Sequence, residues 1–188
     1  MTVIATAAAA LAFSLGLAAG TSTNEPVTQN PGSSAPARPQ GADDVRDFIQ
    51  GAGESGLAEV TFAAMARERS QYGTVRELAA RLEREHKATN RELTALAAAR
   101  QVQIPSLSAE HRASQRKLDG LAGAAFDREY VGMMVTAHDA SIARFSAAVK
   151  SADPEVRALA EKTLPTLRAH MEAVERARKA IGGTDPPK

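Results

Sequence analysis

The sequence predicts an all-α fold: an antiparallel four-helix bundle with a short extra helix between its second and third long helices. Three observations predict it. Beyond the N-terminus no segment alternates apolar and polar residues with period two under Val, Ile or Thr enrichment, so no convincing strand is present. Apolar residues make up 44% of the 188, yet aromatics only 4% with no Trp, and much of the apolar share is Ala, which favours helix and close helix contacts. Four long segments carry apolar residues at helical spacing between turn signals. Each is about 28 residues, or about 42 Å, and short connections at the first and third junctions pair them antiparallel. With both ends set aside, roughly 140 residues remain, a usual size for one domain with one core.

Residues 1–20 read as a signal peptide. Val3 to Ala19 is almost wholly apolar and uncharged and ends in the small-residue run Leu17-Ala18-Ala19-Gly20, the form of an h-region and cleavage zone. No Lys or Arg precedes it, the first basic residue being Arg38. An uncleaved anchor is the competing reading, since the run is near the lower limit of about 17 residues for a spanning helix. Residues 21–40 hold four Pro among Ser, Thr, Asn and Gly, a composition that reads as a disordered linker. The bundle is expected over 41–183 and a frayed tail over 184–188.

The first long helix starts at Asp43 and Asp44, which suit a helix N-terminus, and carries the stripe Val45, Phe48, Ala52, Ser55, Glu59, Phe62 and Ala66. Gly51, Gly53 and Gly56 weaken it locally or permit close helix approach. Gln71-Tyr72-Gly73 breaks the run, and Thr74 with Glu77 has capping-box spacing. The second helix, to about Gln101, has the stripe Val75, Leu78, Leu82, His86, Thr89, Leu93 and Leu96, with Glu77, Arg81, Arg84, Lys87 and Arg91 on a solvated face. Ile104-Pro105-Ser106 ends it, and the minor helix runs from Ser108 to about Leu118. The third long helix begins near Ala124 and places His138 on one stripe with Met134, Ser141 and Phe145. Asp153 as N-cap and Pro154 at the first helical position open the fourth, which Gly182-Gly183 stops. Pro165 lies inside it and should kink it.

One polar residue interrupts the apolar stripe of each long helix near its middle: Glu59, His86, His138 and His170. Glu59 and His86 lie about equally far from the first turn and are therefore level, whereas His138 and His170 differ by roughly one helical turn. One inward residue per helix is how bundles build metal sites. Imidazole and carboxylate donors suit iron, zinc, manganese or copper. A buried hydrogen-bonded layer that fixes packing register is the structural alternative, and haem held by two of the histidines is a third reading. Asp127 and Tyr130 are candidate supporting groups or extra ligands. Met133, Met134 and Met171 are expected in the core rather than as copper ligands, and His111 at the surface.

The run Gly56-Leu57-Ala58-Glu59-Val60, His86 with Asn90 and Leu93, Gly123 with Phe126-Asp127 and Tyr130, His138, and Leu164-Pro165 with His170 form an ordered set. In these residues the chain resembles exported bacterial proteins that carry a domain of unknown function, often labelled predicted outer-membrane proteins. The resemblance covers about Asp43 to Ala177. It implies a ferritin-like bundle and a periplasmic or cell-envelope location, and it implies no established activity. Against the di-iron pattern of ferritin-like oxidases the match is partial. Glu83-Arg84-Glu85-His86 supplies one Glu-x-x-His, but Leu167 stands three before His170 and His138 replaces a carboxylate.

With 23 Lys and Arg against 22 Asp and Glu, the net charge of +1 gives no drive toward nucleic acid. The absence of Cys excludes disulfides, thiolate nucleophiles, Cys-held clusters and a lipidated Cys. No nucleophile–base pair or phosphate loop is present, so the expectation is a non-enzymatic protein. Its expected partners are a transition metal and, through the charged faces, an envelope protein, with a membrane tether only if the N-terminal segment stays uncleaved.

Overall fold

Five helices form where the apolar stripes mark them: α1 (Gln40–Arg69), α2 (Gly73–Ala99), α3 (Ala109–Asp119), α4 (Gly123–Ala148) and α5 (Pro154–Gly182). The computed structural model describes residues 40–182. The segment read as a signal peptide, the expected linker up to residue 39 and the expected tail at 184–188 lie outside the described residues. Among the described residues there is no strand, and no helix is long and apolar enough to cross a membrane.

The four long helices pack as two antiparallel hairpins, α1 with α2 and α4 with α5, closed by α1 against α4 and α2 against α5. The segment from residue 100 to 122 climbs along α1 from one end of the bundle to the other, which makes α4 run parallel to α2. Its course is fixed by hydrogen bonds to α1: Gln50 donates to the Gln103 carbonyl at 3.0 Å, Glu54 accepts from Ser108 N at 2.7 Å, and Arg69 reaches the Leu121 carbonyl at 2.5 Å. A single long crossover of this kind is the connectivity of ferritin-like bundles.

Local chemistry explains the element boundaries. Asp153 accepts from Glu155 N at 2.9 Å and Val156 N at 3.1 Å, so it caps α5 as expected. The same carboxylate takes a two-pronged bond from Arg100 at 2.8 and 3.0 Å, tying the end of α2 to the start of α5. Replacing Asp153 by Ala is expected to cost about 2 kcal/mol, half of it recovered by Asn, which caps without charge. Thermal melts of the two variants check this, at about 3 °C per kcal/mol for a domain this size.

The start of α2 differs from the sequence reading. Thr74 and Glu77 are exposed and lie inside the helix, and Tyr72 is the N-cap with no side-chain cap. The buried Tyr72 ring fixes where the chain turns. The Ser70 hydroxyl meets the backbone need, accepting from Tyr72 N at 3.1 Å and donating to Tyr72 O at 3.2 Å. Gly123 opens α4 at φ +56°, a conformation that suits glycine. Pro165 is exposed and α5 continues through it. The carbonyl it leaves unpaired belongs to the exposed Glu161.

The apolar interior is split in two. One cluster, around Phe62, Leu82, Phe126, Tyr130, Met134 and Val174, fills the end where α1 turns into α2. The other, around Phe48, Ile49, Leu93, Phe145, Leu164 and Leu167, fills the opposite end. On every long helix the break between the clusters falls at the polar residue of its stripe.

Candidate metal centre

Glu59, His86, His138 and His170 meet at that break. They are 2%, 6%, 0% and 1% exposed, among the most buried polar groups described. The three imidazoles form a near-equilateral triangle, with ring centroids 5.5, 5.2 and 5.4 Å apart. One ring nitrogen from each lies within 4.8 Å of the others. Glu59 Oε2 stands 3.0 Å from His86 Nε2 and 3.6 Å from His138 Nδ1.

Counting from the last turn put His138 and His170 a helical turn apart, but their rings are neighbours. His138 is ten residues before the end of α4 and His170 sixteen after the start of α5. The difference corresponds to about 9 Å of helix, which the connection at 149–153 takes up by starting α5 beyond the end of α4.

Hydrogen bonding fixes the protons. A carbonyl only accepts, so the 2.9 Å bond between His138 Nδ1 and Met134 O places the proton on Nδ1. His170 Nε2 donates to Glu85 Oε2 at 2.7 Å. Each of these rings therefore turns a lone pair on its other nitrogen inward. His138 Nε2 and His170 Nδ1 are buried without a hydrogen-bond partner, as are His86 Nε2 and Glu59 Oε2, whose mutual approach is close but not in line. The Met134 carbonyl and Glu85 orient their imidazoles as such groups orient metal-binding histidines.

The electrostatics keep the donors ready for a cation. Burial pushes the Glu59 carboxyl up, but attraction from His86, then His138 and His170, outweighs it and holds Glu59 below its ordinary value. Burial lowers His138, with Glu59 opposing. Burial also lowers His170, to about 4, against the bond from Glu85. At neutral pH the site therefore offers an anionic carboxylate and at least two neutral imidazoles. Such donors fit a first-row divalent ion and are poorly matched to calcium or magnesium, which prefer oxygen throughout. A tetrahedral ion with bonds of about 2.1 Å sets its ligands about 3.4 Å apart, so a modest inward rotation of the rings would close the cage.

Other sequence candidates fall elsewhere. Asp127 accepts from Gln71 N at 3.2 Å, at the α1–α2 turn, so it secures the end of the bundle. Tyr130 is enclosed in the first apolar cluster, and burial followed by the Glu59 charge pushes its phenol up. Glu83, the acid of the Glu-x-x-His motif, pairs with Lys87 and with Arg67 on α1 rather than entering the site. The acid that reaches a histidine is Glu85, which sequence spacing did not single out. Met134 is in the core and Met133 packs partly buried against it, as expected. His111 is half-buried, with Nδ1 2.9 Å from Glu54 Oε1, and belongs to the α3 attachment rather than to a free surface. The cavity at the histidines is about 20 Å³, far too small for a haem.

A model of the family described as a domain of unknown function, DUF4142, matches residues 30–177. The chain belongs to the DUF4142 family. Among solved structures, the crystal structure of a DUF305 fragment from Deinococcus radiodurans is similar, with a TM-score of 0.65 and 23% identity over 74% of this chain and 95% of that one. At that identity the likeness speaks for the fold alone. No curated protein matches the chain.

Proposed function

We propose that this DUF4142 protein is exported to the cell envelope and binds one transition-metal ion in the bundle core through Glu59, His86, His138 and His170. Its role is to hold that ion, for sensing, buffering or stress protection, rather than to turn over a substrate. One observation carries the metal reading. Three buried imidazole nitrogens from three helices lie within 4.8 Å of one another, two of the rings keep a nitrogen with no hydrogen-bond partner, and Glu59 Oε2 from the fourth helix stands 3.0 Å from His86 Nε2. Leaving even one such group unsatisfied costs about 1–3 kcal/mol, and a cation satisfies all four together. Support for export comes from the apolar run Val3 to Ala19 with its small-residue end.

The test is elemental analysis of the full chain, purified from its native compartment without a polyhistidine tag, together with melting curves before and after chelation. About one equivalent of a single metal and a fall in melting temperature on chelation are expected, because a ligand that binds only the folded state stabilises it. His86→Ala combined with His138→Ala should abolish the metal. Unchanged stoichiometry in that double variant, or no metal and no chelation shift in the wild type, would leave a purely structural polar layer.

A further inference from the structure

The two faces of the polar layer are not alike. One turn away on the side of the first apolar cluster, the four helices present Ala63, Leu82, Met134 and Val174, all fully buried. One turn away on the other side they present Gly56, Asn90, Ser141 and Thr166. These residues line a small cavity together with Thr89 and Thr163, and Glu59, His86 and His170 form its wall toward the layer. Ala52, Leu93, Phe145 and Leu167 of the second apolar cluster complete the lining, so the cavity is polar only in part. It measures about 20 Å³, enough for one water-sized molecule, and the few polar groups that line it decide whether such a guest is retained.

Two details point into this space. Asn90 Oδ1 is buried and has no hydrogen-bond partner. Gly56 lets Asn90 lie against α1, because a Cβ there would stand 2.1 Å from Asn90 Oδ1. Any side chain at position 56 would push the amide out of place.

We propose that the ion held by Glu59 and the three histidines keeps one coordination position facing this cavity, and that the position takes a water or a water-sized anion such as hydroxide or fluoride. This rests on the metal-binding reading above. Asn90 and the Thr166 hydroxyl hydrogen-bond the guest. A bound water donates to Asn90 Oδ1, and an anion accepts a hydrogen bond from the Asn90 amide NH₂ or the Thr166 hydroxyl. Leu82 and Met134, both fully buried, pack on the opposite face of the layer.

The experiment loads the metal-free full chain with cobalt(II), whose visible absorption weakens as its coordination number rises, and titrates it with sodium fluoride at fixed pH, fluoride being small enough for the cavity. The wild type should bind one cobalt and respond to fluoride with a saturable, single-site spectral change. Asn90→Leu and Thr166→Val should each still bind one cobalt while fluoride affinity drops by about tenfold, the worth of one good hydrogen bond. If cobalt binds and fluoride leaves the spectrum unchanged, the exchangeable position is overturned and the metal site stands. If fluoride binds the variants as tightly as the wild type, the cavity is not where it enters, and the proposal fails on that ground. If no cobalt binds to the wild type, the metal reading itself falls, and this one with it.

Discussion

Replacing the whole polar layer with apolar side chains, Glu59→Met with His86→Leu, His138→Leu and His170→Leu, is expected to raise the melting temperature of the metal-free protein and erase its response to metal. The layer is expensive without an ion, because His138 Nε2 and His170 Nδ1 go unpaired and Glu59 and His86 are buried with little beyond one another while the apolar clusters on either side are interrupted. Apolar replacements join those clusters and remove the unpaired groups. Exchanging buried ionic groups for well-packed apolar ones is often stabilising by about 1–4 kcal/mol, which at this size corresponds to roughly 10 °C at the upper end. Glu85 loses its partner in this variant, but it is partly exposed and water replaces the bond. Calorimetry with and without added metal decides the matter. A variant that melts below the metal-free wild type would mean that the layer is held together by its own hydrogen bonds.

Stability of the metal-free protein should fall steeply as the pH drops from about 6.5 to about 4. In the unfolded chain the histidines take up protons near 6.5, whereas in the fold His138 and His170 are held lower, His170 at about 4. Between those limits the unfolded state binds more protons, so stability rises with pH across the window and is lost as the pH falls through it. For His170 alone the loss would be roughly 3 kcal/mol. The groups facing these rings are Glu59 on α1, Glu85 on α2 and Asp139 on α4. Glu59 and Glu85, both held below their ordinary values, act in the same direction, their contribution being lost as the pH falls below the usual carboxylate range. Denaturant unfolding at pH 7, 6, 5 and 4 measures the slope, and the fourfold variant that replaces Glu59 together with the three histidines should show a much flatter profile. Parallel losses in both proteins would put the acid sensitivity somewhere other than this layer.

The helices and their inward faces were legible because burial on a helix imposes a period, and Val45, Leu82, Phe145 and Leu167 keep that period in the sequence and in the core. The four polar interruptions were legible for the same reason: a polar residue stands out only against an apolar stripe. Glu85 was not, since it lies among charged neighbours on the flank of α2 and becomes meaningful only once α5 is known to pack there. The heights of His138 and His170 were misjudged because sequence counts residues but not the rise of a connecting segment. Thr74 misled because its spacing to Glu77 has the form of a cap, while the buried Tyr72 ring decided where the turn lies. Asp127 and Tyr130 share a helix face with His138, but at 1.5 Å per residue they sit about 12–16 Å away from it.

The split interior gives the bundle two hydrophobic ends in series, each with its own contacts, joined across the middle by four helix backbones and a seam of polar groups that are not all paired. Unloaded, the molecule is cheapest to deform at that seam. An ion held there would act as a rivet through all four rods, so that strain applied at one end is felt at the other. Occupancy of a single buried point would then set the stiffness of the whole bundle, which a partner touching only its outer surface can read.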